Sequence, residues 1–193
     1  MEIMKLKQTE WVDEAKRHIA GGFHKIFHTT VDTPVTLVHR RSQVDEELCA
    51  EMGYDIYEGL YNGGTLIANK GDLVFAHFYD IENGWRDRYV EYFLAWLKNK
   101  GLNAEYVDND VLVDDRKVCG TCITRYGRID YTTIFISIDP NLDHIKAICR
   151  KPMKKVPKGL SDYGITSEEV EQMFLDFCEA DEANYNKGGR KLT

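Results

Sequence analysis

Residues 109–120 read NDVLVDDRKVCG, and the way this dozen folds decides the architecture. Val111, Leu112 and Val113 form a short apolar run with strand character. Asp114 and Asp115 follow as a turn signal, since short polar side chains suit turn backbone. Arg116 to Gly120 then opens a second strand-like segment. A charged turn between two apolar runs predicts paired strands near 111–114 and 117–124, with a third run at 132–138.

Outward from this hairpin the chain alternates between helix and strand signals. WRDRYVEYFLAWLKNKG (85–101) carries Tyr89, Phe93, Trp96 and Leu97 at helical spacing and ends at Gly101. Residues 9–27 read as a helix from Trp11, Ala15, Ile19 and Phe23, weakened in the middle by Gly21-Gly22. VTLVH (35–39) reads as a strand and VDEELCAEMG (44–53) as a short helix closed by Gly53. TLIA and LVFAHFY read as a hairpin around Asn69-Lys70-Gly71-Asp72. LDHIKAICRK (142–151) and TSEEVEQMFLDFCEA (166–180) complete the helices. The last is capped by Thr166 or Ser167, with Glu169 or Glu168 closing a capping box. The sum is an α+β fold, a mostly antiparallel mixed sheet with flanking helices. One domain over 1–183 with a flexible tail at 184–193 is expected.

A 43 % apolar fraction is enough for a core. A net charge of −7 argues against a general nucleic-acid binder. No apolar run approaches the roughly 20 residues of a membrane span, and MEIMKLKQTEWVDEAKRH lacks a signal-peptide core. A soluble cytoplasmic protein, with no nucleic-acid or membrane partner, is expected. Five scattered cysteines, Cys49, Cys119, Cys122, Cys149 and Cys178, fit reduced thiols. Cys119 and Cys122 form a CxxC without a second pair, and on a strand that spacing points the two thiols to opposite faces.

The candidate chemistry is sparse on spacing alone. Gly63-Gly64 opens a strand after Asn62, either as a plain turn or as free amides facing a phosphate. Lys117 reads as a solvated hairpin lysine or as a charge facing an anion. Asn109-Asp110 reads as a turn cap, or Asp110 as a Mg²⁺ contact beside a phosphate. Arg150, Lys151, Lys154, Lys155 and Lys158 crowd into nine residues, and Pro152 and Pro157 keep them off a regular helix. That segment is a solvated loop or a docking surface.

The order of these signals resembles the lipoate–protein ligase A and biotin ligase superfamily. GYDIYEGLYNGGTLIANKGDL (53–73) is similar to its glycine-rich turn between strands, and NDVLVDDRKVCG to its Asn-Asp, strand, turn, Lys, Gly segment. TTIFISIDPNLDHIKAIC (132–149) resembles the strand and short helix that follow, and KVPKGLSDYGITSEEVEQMF (155–174) the late loop and final helix. The resemblance implies activation of lipoate or octanoate with ATP and Mg²⁺ to an acyl-adenylate, then transfer to a lysine of a lipoyl domain or H-protein-like carrier. Biotin ligases do the same with biotin, but their aromatic-containing glycine loop is not visible here. Lys117 falls at the family's lysine, Asn109 at an adenylate contact and Asp110 at a possible Mg²⁺ contact. Gly63, Gly64, Thr65 and Gly120 would line the acyl and nucleotide groove. Lys154 and Lys155 would steer an acidic carrier domain.

The chain also departs from that pattern. Two family arginines correspond to Glu58 and Gly59, which predicts weaker ATP binding. Tyr61-Asn62 replaces a small polar residue and a glycine, Ala68 a histidine, and Tyr131-Thr132 a histidine-glycine pair. No segment of this sequence is expected to form the accessory domain of many stand-alone lipoate ligases, and a separate accessory subunit is an expected alternative. Two alternatives stay open: an octanoyl or lipoyl transferase with an acyl-carrier donor and Cys149 as nucleophile, and a non-catalytic relic that binds ligand or partner.

Overall fold

A computed structural model of the chain describes residues 2–7, 10, 13, 14, 17, 25–58, 64–80, 84–127 and 129–187. Among them the strands are β1 (Glu2–Lys5), β2 (Lys25–Thr30), β3 (Val35–Val38), β4 (Asp55–Glu58), β5 (Leu66–Ala68), β6 (Leu73–Asp80), β7 (Ala104–Val107), β8 (Asp110–Val113), β9 (Arg116–Tyr126) and β10 (Ile129–Ile136). The longer α-helices are α1 (Glu46–Glu51), α2 (Trp85–Asn99), α3 (Leu142–Ile148) and α4 (Ser167–Lys187). A seven-stranded sheet runs β1-β2-β6-β10-β9-β8-β7, and a three-stranded sheet runs β4-β3-β5. Every pair in the large sheet is antiparallel except β1 with β2, and β3 pairs parallel with β4. This is the mixed α+β fold that the patterning predicts. No helix among the described residues is long and apolar enough to cross a membrane.

The predicted hairpin at 109–120 is the centre of a three-strand meander, β7-β8-β9. Its two-residue turns place Asp108 and Asn109, then Asp114 and Asp115, at φ of 53°, 67°, 49° and 62°. Primed turns need positive φ at both central residues, and Asp and Asn reach that region at lower cost than other side chains.

The large sheet separates two cores by the two-residue period of its strands. On β6, Leu73, Phe75 and Tyr79 face the helices, while Val74, Ala76 and Phe78 face the small sheet. On the helix side Trp85, Tyr89, Phe93 and Leu97 of α2 and Val170, Phe174 and Phe177 of α4 are fully buried or nearly so. Phe75 stacks on Phe174 with centroids 3.8 Å apart. On the other side Val35, Leu37 and Ala68 of the small sheet close on Phe27, Phe78 and Phe135. Cys119 belongs to the first core and Cys122 packs against the second, opposite faces as the spacing predicts.

Four expectations need correction. TLIA and LVFAHFY form strands, but not a hairpin: β5 pairs with β3, whereas β6 pairs with β2 and β10. The turn between them is a corner between sheets, pinned by buried Asp72, whose carboxylate accepts from Asn69 N at 2.7 Å and Ile138 N at 2.6 Å. The predicted helix over 9–27 cannot include 25–27, which are strand β2. Trp11, Ala15, Ile19 and Phe23 lie outside the described residues. The helix at 142–151 stops at Ile148, and the final helix runs on to Lys187, through the first part of the expected tail. Its capping box is Thr166 with Glu169: Glu169 N donates to Thr166 Oγ1 at 3.3 Å, and Thr166 N donates to Glu169 Oε2 at 3.0 Å.

Candidate active site

Between the small sheet and the facing side of β9 and β10 lies a cavity of about 880 Å³. Its apolar lining is Leu66, Ile67, Ile123, Phe135, Ile145 and Met153. Its charged lining is Arg86, Asp108, Asp110, Lys117, Lys154 and Lys155. Gly64, Thr65, Asn109, Gly120 and Cys149 also line it, so the cavity brings together the described residues to which the resemblance assigns a catalytic, binding or docking role. Gly63 lies outside the described residues.

A β-bulge sets the geometry of Lys117. Val111 pairs with Cys119, but Leu112 pairs with Lys117, so Val118 is the extra residue. In an unbroken strand positions 117 and 120 would point to opposite faces. The bulge reverses the alternation: adjacent Val118 and Cys119 both enter the helix-side core, and Lys117 turns to the cavity face beside Gly120. A Cβ on Gly120 would stand 3.0 Å from Lys117 Nζ and 3.4 Å from Asp110 Oδ1, so this glycine makes the space that the lysine fills.

Asp110 holds two ammonium groups. Lys117 Nζ lies 2.8 Å from Oδ1 and Lys155 Nζ 3.2 Å from Oδ2. Lys155 also donates to Val107 O at 2.6 Å and lies 3.8 Å from Asp108 Oδ2. The loop that carries it is clamped to β9, because Lys117 N donates to Val156 O and Lys158 N donates to Lys117 O. Lys155 is therefore a built-in member of the site and not the free docking charge that the sequence suggests. Lys158 is also engaged, over the Tyr163 ring at 4.2 Å, whereas Arg150, Lys151 and Lys154 stay exposed.

The same geometry tests the expected Mg²⁺. Both Asp110 oxygens already face an ammonium, and Lys155 stands between Asp108 and Asp110, where a bridging cation would stand. Among the described residues no group of three or more His, Cys, Asp or Glu could hold a metal ion. Asp110 does not fit the metal-contact role, because a cation there would meet two positive charges at contact distance. Asn109 is also committed: its Oδ1 accepts from Arg86 Nη1 at 3.2 Å and Tyr106 OH at 3.4 Å.

Arg86 is the site residue that the sequence reading missed. It sits in the first turn of α2, where the helix dipole disfavours a cation, and that local conflict is the signal that marks it. Glu58, which the resemblance sets at the position of a family arginine, pairs with exposed Arg41 and does not line the cavity. Gly59 lies outside the described residues. Cys149 caps the end of α3, and burial pushes its thiol above the ordinary range. Among the described residues no group bonded to its sulfur could take the proton.

Comparison with known proteins places this geometry. The family model described as the lipoyl protein ligase A/B catalytic domain matches residues 8–176. The structure of a bi-partite lipoate protein ligase and its E2 lipoyl domain from Thermoplasma acidophilum superposes with a TM-score of 0.77 at 16% identity, covering 94% of this chain and 83% of that one. A lipoate-protein ligase A bound with ATP superposes at 0.74, also with 16% identity, over 94% and 84%. An octanoyltransferase of Wolbachia pipientis subsp. Culex pipiens (strain wPip) is 29% identical over 87 residues, which is 45% of this chain. The chain spans 33% of that relative's length.

Proposed function

The chain belongs to the lipoyl protein ligase A/B catalytic-domain family, and on that premise we propose that it is a lipoate– or octanoate–protein ligase, activating the acid with ATP and passing it to a lysine of a lipoyl carrier domain. The observation that carries this reading is the cavity's mixed lining. Leu66, Ile67, Phe135 and Ile145 suit an acyl tail, and the same cavity holds two ammoniums on one carboxylate.

The chemistry follows from those groups. A carboxylate is a poor electrophile until one oxygen attacks the α-phosphorus of ATP and pyrophosphate leaves. Lys117, half-buried beside the apolar wall, lowers the cost of bringing two anions together and of the charge that builds on the phosphate. In the second step the carrier's neutral lysine amine attacks the acyl carbonyl, the C–O bond to AMP breaks, and the amine proton leaves to solvent. Lys117 then stabilises the acyl oxygen as it gains charge. No step is assigned to a metal on Asp110. The superposition on a ligase and its E2 lipoyl domain supports a lipoyl-domain acceptor, and that on an ATP-bound ligase supports ATP as co-substrate.

The second reading, an acyl transferase using Cys149, has two supports: the thiol lines the same cavity, and a segment of the chain is similar to an octanoyltransferase. It needs a thiolate, and burial favours the thiol. ATP–pyrophosphate exchange separates the readings. Exchange dependent on lipoate or octanoate, reduced about 10²- to 10³-fold in Lys117→Ala, is expected of the ligase. Acyl transfer from a carrier without ATP, abolished in Cys149→Ser and without exchange in the wild type, would replace it with the transferase.

A further inference from the structure

We propose that Arg86 is a phosphate-binding residue of this site, which grips the polyphosphate of a nucleoside triphosphate from the mouth of α2. The proposal rests on the ligase reading for the identity of the nucleotide, but its own evidence is the charge and placement of the cavity wall.

The first argument is stoichiometry. Arg86, Lys117, Lys154 and Lys155 face Asp108 and Asp110 across one cavity, in a chain whose overall charge is −7. The lining is left with two positive charges in excess, Asp87 pairing with Arg86 from outside it, and a single fatty-acid carboxylate answers only one of them. A polyphosphate answers both.

The second argument is geometry. Arg86 Nη1 donates to Asn109 Oδ1 at 3.2 Å, which locks the guanidinium to the same turn, 108–110, that holds both lysines. Nε and Nη2 lie 2.9 Å from Asp87 Oδ1. Asp87 is 64% exposed and Arg86 only 24%, so water screens the pair while the arginine borders the cavity. A guanidinium has five N–H donors in a planar fork, and these contacts leave donors on Nη1 and Nη2 for an anion. The fork matches two phosphate oxygens at once, which an ammonium does not.

The third argument is economy of charge along the chain. Glu58 is not part of the cavity lining and is paired with Arg41, so β4 supplies no cation to the site. Arg86, from a different element, supplies a guanidinium to the lining, where the other cations are ammoniums.

The test is calorimetric binding of inorganic pyrophosphate, ATP and lipoate to the full chain, with exchange measured in parallel. Arg86→Gln is expected to weaken pyrophosphate and ATP about 10- to 100-fold, in line with loss of a charge-assisted contact, and to leave lipoate affinity within about twofold. Arg86→Lys keeps the charge but not the fork, so it recovers part of the loss. If Arg86→Gln loses its cooperative thermal transition, Arg86→Lys carries the test with a weakening of at least about fivefold. Pyrophosphate affinity unchanged in a folded variant, with normal exchange, overturns the Arg86 assignment and leaves the ligase reading intact. Arg86-dependent pyrophosphate binding without lipoate-dependent exchange upholds the assignment and removes the ligase reading. A wild-type chain that binds neither pyrophosphate nor ATP overturns both.

Discussion

Gly120→Ala is the sharpest test of how the bulge builds the site. The new methyl would lie 3.0 Å from Lys117 Nζ and 3.1 Å from Cε, both shorter than ordinary contact. Relieving them moves the lysine tip by roughly 0.5–0.8 Å, taking about 3.5–4.0 Å as normal separation. The 2.8 Å ion pair with Asp110 then lengthens to the limit of a hydrogen bond. Moving the lysine tip away from its acid costs little stability, because the displaced atoms end a flexible side chain that is a third exposed. It costs much more in rate, since a misplacement of about 1 Å in a catalytic group is worth about 10²-fold. We expect acid-dependent pyrophosphate exchange to fall about 10- to 100-fold, with the melting temperature within about 2 °C of wild type. Exchange and differential scanning calorimetry on the same preparation check both halves. A folded Gly120→Ala chain that exchanges at the wild-type rate would show that the Lys117–Asp110 geometry is not what the chemistry requires.

Three further outcomes follow from other parts of the fold. Gly159→Ala should destabilise by about 1–3 kcal/mol or more, because its Cβ would stand 2.2 Å from Ile138 O and 2.8 Å from Pro140 Cδ; chemical denaturation reads this directly. Burial raises the Asp72 carboxyl from 3.8 to about 7. The folded chain therefore keeps a proton that the unfolded chain releases near pH 4. Stability should fall as pH rises from about 4 to about 7, by at most ~4 kcal/mol at ~1.4 kcal/mol per unit. Asp72→Asn should lose that slope whatever its absolute stability, and a slope equal to wild type in urea titrations at stepped pH would refute it. Lys154→Glu, reversing an exposed cation at the rim, should raise the apparent KM for an acidic lipoyl carrier, most at low ionic strength; a salt series with identical carrier kinetics would exclude this loop from docking.

Much of this molecule can be read in its chain, and the parts that cannot share one cause. The meander, α2 and α4 follow from local periodicity and local turn chemistry, as does the Thr166–Glu169 cap. The corner at 69–72 does not. Its residues signal a turn, but whether the flanking strands pair is decided by Asp72 reaching Ile138, 66 residues away. The start of β2 misleads for another reason: Ile26 and Phe27 are both fully buried, one toward each core, so neighbouring positions lose the polar–apolar alternation that marks a strand. The bulge at Val118 has no glycine to announce it. Lys155 sits in a run of basic residues that resembles a solvated loop, and only the pairing of that loop with β9 turns it inward.

The placement of Asp110 explains why the site can keep so much positive charge before any substrate arrives. A carboxylate's oxygens are about 2 Å apart, so ammoniums on each stand on the order of 5 Å from one another. At an effective dielectric of about 20 their repulsion is roughly 3 kcal/mol. Without a counter-ion the loop at 153–158 would be pushed from β9 at the point where Lys117 and Val156 pair. Asp110 removes that repulsion and fixes both cations, from β9 and from the loop, at one edge of the cavity. An incoming polyanion then meets charges already in position and competes with one carboxylate for them, and this favours a ligand of higher charge than a single acid. On the proposed ligase reading, Lys155 and Arg86 would hold the nucleotide and Lys117 would draw the acyl carboxylate. Asp110→Asn should reverse that economy. Anion affinity would rise as the competing carboxylate is lost, while turnover would fall as the two lysines separate. A variant in which affinity and turnover change together would show that Asp110 acts on the substrate directly and not through the lysines.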